Sequence, residues 1–115
     1  MKKLLASLGL LAIAAMPVNA QDYRMSVSEE TLADAYGTLG SSTGFLICDA
    51  YRIGITDPQK ILSNMYSRLT QGDAEMLDAI VDMPEDNYYR RRYTYNLTYQ
   101  MEVSGCYDRF VKSIK

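Results

Sequence analysis

The chain has 115 residues, with 12 Lys and Arg against 14 Asp and Glu, two cysteines and no histidine. The acidic balance argues against a general nucleic-acid binder, which needs a basic face to displace counterions from phosphates. The absence of histidine removes the usual general base near neutral pH and excludes a Ser-His-Asp triad. It also leaves zinc without imidazole ligands, so we expect neither a metal nor another cofactor.

The first twenty residues have the pattern of a cleavable bacterial signal peptide. Two lysines precede an apolar run over residues 4–16, and residues 18–20 form a small-residue cleavage site. The run is too short to span a bilayer comfortably, which disfavours a retained membrane anchor. The pattern therefore predicts export to the periplasm or the medium. Residues 21–115 would then form one small domain with a formal charge of about −4.

The two cysteines, Cys48 and Cys106, predict a single disulfide, because an even count in an oxidising compartment favours pairing. The bridge would close a loop of about 59 residues, which the chain-entropy model values at roughly 4 kcal/mol. The alternative is a pair of reactive or metal-binding thiols. The chain offers no Cys-x-x-Cys motif and no histidine to support that alternative.

Helical signals begin near residue 26. Capping-box spacing over 26–29 and apolar residues at helical intervals predict a first helix that includes residues 32–39. Gly37, Gly40 and Gly44 then predict a turn, because each glycine inside a helix costs about 1 kcal/mol. In the alternative, a continuous helix, the three glycines would fall near one face and permit close backbone packing.

The middle of the chain predicts three further helices. The first covers 45–53, and Thr-Asp-Pro at 56–58 starts the next, whose apolar residues form an amphipathic stripe over 61–69. Asp73 is expected to cap the helix that follows, and Pro84 to end it.

The C-terminal part is consistent with two structures. A helix is favoured by apolar residues that recur every three or four positions: Tyr95, Tyr99, Val103, Cys106, Phe110 and Ile114. Strict alternation over 93–103 instead favours a strand, which could form a short ribbon with 23–27. We favour a long helix, since the other segments are helical in pattern. The predicted fold is an all-α bundle of four or five helices with one disulfide, and the alternative is an α+β fold containing that ribbon.

The densest cluster of chemically versatile side chains is a run of tyrosines and arginines. Such residues can anchor a protein interface, stack on bases or grip phosphate. They can also neutralise the acidic helix that precedes them. The negative charge disfavours a polyanion partner. The candidate partner-binding residues are Tyr88, Tyr89, Arg90, Arg91, Arg92 and Tyr93.

Ten residues resemble a known family. The segment Cys48-Asp49-Ala50-Tyr51-Arg52-Ile53-Gly54-Ile55-Thr56-Asp57 is similar to the pattern Cys-x-Gly-Tyr-x-x-Gly-Val-x-Asp. That pattern occurs in small exported immunity proteins that protect against effectors of the type VI secretion system. Here Ala50 replaces Gly and Ile55 replaces Val. The resemblance implies an all-α protein that binds a toxin and has no catalytic activity.

Together these features predict an exported, non-enzymatic module that binds another protein of unknown identity. We expect no nucleic-acid partner and no membrane span after cleavage. The alternatives are an immunity or inhibitor protein against a secreted effector and a periplasmic stress chaperone, which the short, helical, singly disulfide-bonded layout resembles. A carboxylate-based hydrolase of an envelope polymer is a further alternative, because acidic residues are plentiful.

Overall fold

The computed structural model describes residues 27–114, and these form five helices and no strand. The all-α prediction is therefore confirmed. The alternative ribbon is wrong, because residues 93–103 are helical. The predicted signal peptide, residues 1–20, lies outside the described residues. The helices are α1 (Val27–Arg52), α2 (Pro58–Ser67), α3 (Gln71–Val81), α4 (Tyr88–Ser104) and α5 (Tyr107–Ile114).

Helix α1 runs unbroken through all three glycines for 26 residues, so the predicted turn at this place is wrong. The glycines lie where α4 approaches α1 most closely. A methyl group on Gly40 would overlap the carbonyl oxygen of Tyr93, and one on Gly44 would lie 2.9 Å from the carbonyl oxygen of Leu97. Packing of α4 against this smooth surface outweighs the cost of about 1 kcal/mol that each helical glycine carries.

Helices α1 and α4 are parallel neighbours. Near the start of both, Asp34 pairs with Arg92 at 2.9 Å, and near the end of both, Cys48 is bonded to Cys106. The chain segment containing α2 and α3 connects the end of α1 to the start of α4. The helix predicted over 45–53 corresponds to the last eight residues of α1 and the residue that follows it.

The apolar residues of α4 lie on two sides of the helix. Three of the residues whose spacing favours a helix are exposed: Tyr95 by 49%, Tyr99 by 58% and Val103 by 65%. The core instead receives the side chains two residues before each of them, Tyr93, Leu97 and Met101, which are fully buried. Both sets repeat every four residues, so helical spacing alone does not distinguish them. Contact with α1 and the other helices decides which set is buried.

The disulfide is positioned by the end of α4. Gly105, at φ +87°, ends the helix in the left-handed conformation, so the predicted long C-terminal helix is split into α4 and α5. The next amide, that of Cys106, donates to the carbonyl oxygen of Met101 at 3.0 Å, which is the Schellman pattern. Cys106 thereby faces Cys48 with 5.4 Å between their Cα atoms. The predicted disulfide is confirmed, and both cysteines are buried.

The helix N-termini agree only partly with the sequence signals. Thr70, rather than Asp73, caps α3, because its hydroxyl accepts a hydrogen bond from the Asp73 amide at 3.1 Å. Asp57 occupies the cap position of α2 without a side-chain cap hydrogen bond. At α4, the side chain of Asn87 accepts from two backbone amides and fixes the start of the helix that carries the Tyr–Arg run.

Candidate interaction surface

The structure divides the predicted Tyr–Arg site between the core and the surface. All six residues lie in the first two turns of α4. The buried members are Tyr88, Arg90 and Tyr93, and the partly exposed members are Tyr89, Arg91 and Arg92. The first three therefore contribute mainly to packing, and only the last three could contribute directly to a contact surface.

Tyr93 links α4 to α1 inside the core. The hydroxyl of Thr43 is hydrogen-bonded both to the carbonyl oxygen of Leu39 and to the hydroxyl of Tyr93, each at 2.9 Å. Burial raises the pKa of Tyr93 well above its ordinary value, and the hydrogen bond to Thr43 offsets part of that rise. Tyr93 is thus a neutral, internally satisfied core residue.

Arg90 and Arg92 contact groups other than the carboxylates of the acidic helix that precedes them. The guanidinium of Arg90 donates to the carbonyl oxygen of Met83, just beyond the end of α3, where a cation complements the helix dipole. Arg92 pairs with Asp34 on α1 and donates to the Tyr88 hydroxyl at 3.2 Å. The hydrogen bond to Tyr88 and then the one to Asp34 raise the pKa of Arg92, while burial opposes them.

Beyond these turns, α4 presents apolar side chains away from the core. Tyr95, Tyr99 and Val103 repeat every four residues and so line one side of the helix, here called the outer face of α4. Arg91 and Arg92 precede this face, and both are partly exposed. The spacing of Tyr95, Tyr99 and Val103 favours a helix but does not indicate whether this side of the helix is buried. Tyrosine is ambiguous in this respect because it has an apolar ring and a polar tip.

A second surface feature is an open groove of about 500 Å³ beside α1. Its apolar part comes from Phe45, Leu46 and Leu69, and its polar part from hydroxyl, amide and charged groups. The groove joins the middle of α1, the connection between α2 and α3, and α4. The remaining lining residues are Ser41, Ser42, Arg68, Thr70, Asp73 and Gln100.

The described residues contain neither a cluster of potential metal ligands nor a helix able to span a membrane. Within residues 27–114, no three Cys, Asp or Glu side chains come together in a way that could hold a metal ion. None of the helices between Val27 and Ile114 combines the length and apolar content needed to cross a bilayer.

Comparison with family models, with characterised proteins and with solved structures finds no match to this chain. The ten-residue resemblance therefore stands alone, and its positions have structural roles here. Cys48 forms the disulfide, and the ring of Tyr51 stacks against the guanidinium of Arg109 at 4.5 Å. Gly54 ends α1 at φ +91°, and Asp57 occupies the cap position of α2. The pattern accordingly describes how one helix ends and the next begins.

Proposed function

We propose that this chain is an exported, disulfide-stabilised protein-binding module without catalytic activity, and that the outer face of α4 contacts its partner. The exposure of Tyr95, Tyr99 and Val103 carries this proposal. A fully buried tyrosine side chain removes about 150–250 Å² of surface from water. Tyr95 and Tyr99 are about half exposed, so roughly 100 Å² of each side chain remains accessible to a partner. Large apolar groups gathered on one side of a helix are typical of interaction sites.

The chemistry of the surroundings suggests the kind of partner. Aromatic residues and arginines are enriched at the centres of protein interfaces. Tyr95, Tyr99 and Val103 supply the apolar area of the outer face, so a complementary partner would present an apolar patch. A toxin of the kind that the local resemblance implies is one such partner.

Export is supported by the leader pattern and by the disulfide. Disulfides persist in oxidising compartments and are rare in the cytosol. The Cys48–Cys106 bond ties α1 to the turn that follows α4, and its two ends are 58 residues apart in the chain. A crosslink of this span is expected in a small exported domain whose core is limited.

Binding is favoured over hydrolysis by the contents of the groove. A carboxylate hydrolase needs two acidic side chains that face each other across the substrate. Among the residues that line the groove, Asp73 is the single carboxylate. We therefore assign the chain a binding role.

The test is site-specific photo-crosslinking in the native host. Benzoylphenylalanine in place of Tyr99 is expected to give a discrete adduct with one other protein, because this ring is the central residue of the outer face. The control carries the same probe at Ile53, which is similarly exposed but lies in the turn after α1. The substitution Tyr99→Ser should then weaken binding of the purified partner at least about tenfold, the loss typical of an interface hot spot. Absence of an adduct specific to position 99 would refute the proposal.

A further inference from the structure

Two arginines share one carboxylate beside the groove. Nη1 of Arg68 lies 2.7 Å from Oδ2 of Asp49, and Nη1 of Arg52 lies 3.7 Å from Oδ1 of the same residue. The side chains of the two arginines are 42% and 52% exposed, so both can reach a ligand. This Arg52–Asp49–Arg68 cluster holds two positive charges and one negative charge.

The cluster adjoins an aromatic ring and an apolar surface. The guanidinium carbon of Arg52 lies 5.6 Å from the centroid of the Phe45 ring, and Phe45 is 44% exposed. Phe45 lines the groove with Leu46, Leu69 and Arg68. An apolar side chain in the groove would therefore lie next to unused N–H donors of two guanidinium groups.

We propose that the groove and the Arg52–Asp49–Arg68 cluster bind a segment of a partner polypeptide in which an apolar side chain is followed by an acidic one. A guanidinium has five N–H donors, and Asp49 occupies few of the donors on either arginine. A second carboxylate can therefore bind both groups at once and neutralise the excess charge. Asp73, which also lines the groove, disfavours additional acidic groups on the segment.

This proposal is independent of the outer face of α4, since the two surfaces share no residue. The charges of the Arg52–Asp49–Arg68 cluster also predict opposite effects for substitution of its arginines and of its aspartate. If either arginine is removed, Asp49 pairs with the other one and the cluster becomes neutral. If Asp49 is replaced by Asn, the cluster gains positive charge and a competing carboxylate is lost. Binding of an acidic segment should weaken in the first case and strengthen in the second.

The test is an NMR titration of the intact protein with three blocked dipeptides. Acetyl-phenylalanyl-glutamate amide is expected to shift signals of Phe45, Arg52 and Arg68 in a saturable manner at concentrations up to about 10 mM, which covers a Kd near 1 mM. The matched peptide with glutamine tests the carboxylate, and the matched peptide with alanine in place of phenylalanine tests the apolar contact. Both should bind at least about fivefold more weakly.

Variants then separate recognition from folding. Arg68→Gln and Arg52→Gln should each weaken binding of the glutamate peptide about tenfold, and Asp49→Asn should strengthen it several-fold. Arg109→Gln is the control, because it removes another exposed, ring-stacked arginine at Tyr51. Circular dichroism confirms that each variant is folded. The proposal is overturned by equal shifts with the glutamate and glutamine peptides, by no saturable shift, or by a loss of affinity in Asp49→Asn.

Discussion

The close contact between α1 and α4 predicts a strong response to one added methyl group. In the variant Gly40→Ala, the new Cβ overlaps the carbonyl oxygen of Tyr93 and lies 3.0 Å from the amide nitrogen of Leu97. Both are backbone atoms, so rotation of a side chain cannot relieve the contact. The two helices must move apart along their whole interface.

The magnitude follows from two opposing effects. Overpacking of a well-filled core costs about 1–3 kcal/mol, and separation of the helices also weakens the buried Thr43–Tyr93 hydrogen bond. Alanine, on the other hand, favours the helix over glycine by about 1 kcal/mol. We expect a net loss of about 2 kcal/mol, which lowers the Tm by roughly 10 °C in a domain of this size.

The matched control is Gly72→Ala. Gly72 also lies in a helix, α3, but a Cβ there meets no atom within 4 Å. This variant should leave the Tm unchanged or raise it by a few degrees, since only helix propensity changes. Thermal and urea unfolding followed by circular dichroism measures both. Equal Tm values for the two variants would refute the prediction, because they would show that a methyl group fits between α1 and α4 without a loss of stability.

Three other predictions concern the covalent and polar links. Replacing Cys48 and Cys106 together by alanine should lower the free energy of unfolding by about 4 kcal/mol, measured by urea denaturation, and an unchanged midpoint would contradict the crosslink argument. Burial raises the pKa of Tyr93 in the folded state above its value of 10.0 in the unfolded chain. As the pH rises above 10, the unfolded state therefore loses this proton before the folded state does, and the free energy of unfolding should fall. The fall should be less steep in Tyr93→Phe. Equal pH dependence of the two unfolding free energies, measured by urea denaturation, would refute this prediction. The exposed Asp34–Arg92 pair should matter little: Asp34→Ala is expected to change stability by less than about 1 kcal/mol, and a larger loss in the same assay would contradict the exposure argument.

The sequence did not reveal which residues of the Tyr–Arg run are exposed. The run from Tyr88 to Tyr93 lies on α4, the helix that carries the exposed face, but three of its six residues are buried. The sequence gives no direct signal for this, because tyrosine and arginine both combine an apolar portion with a polar end. Arg90 is buried and donates a hydrogen bond to the carbonyl oxygen of Met83, a contact that the sequence pattern does not reveal.

The sequence alone determined the fold class and the covalent link. Apolar residues at helical intervals and the breaks near Pro58 and Pro84 define helices from local preferences, which act within a few residues. Two cysteines allow one intramolecular pairing. The helices follow from local sequence, and the disulfide follows from the number of cysteines, so both can be inferred without knowing which helices pack together.

Only the tertiary structure decided the continuity of α1 and the orientation of α4. Gly40 and Gly44 oppose a helix by their local propensity, and the approach of α4 reverses that outcome because only glycine leaves room for it. The same contact turns Tyr93 inward and Tyr99 outward, although both fit the helical repeat. Local preferences of about 1 kcal/mol are small beside the packing of two whole helices, so the neighbouring helix determines the result.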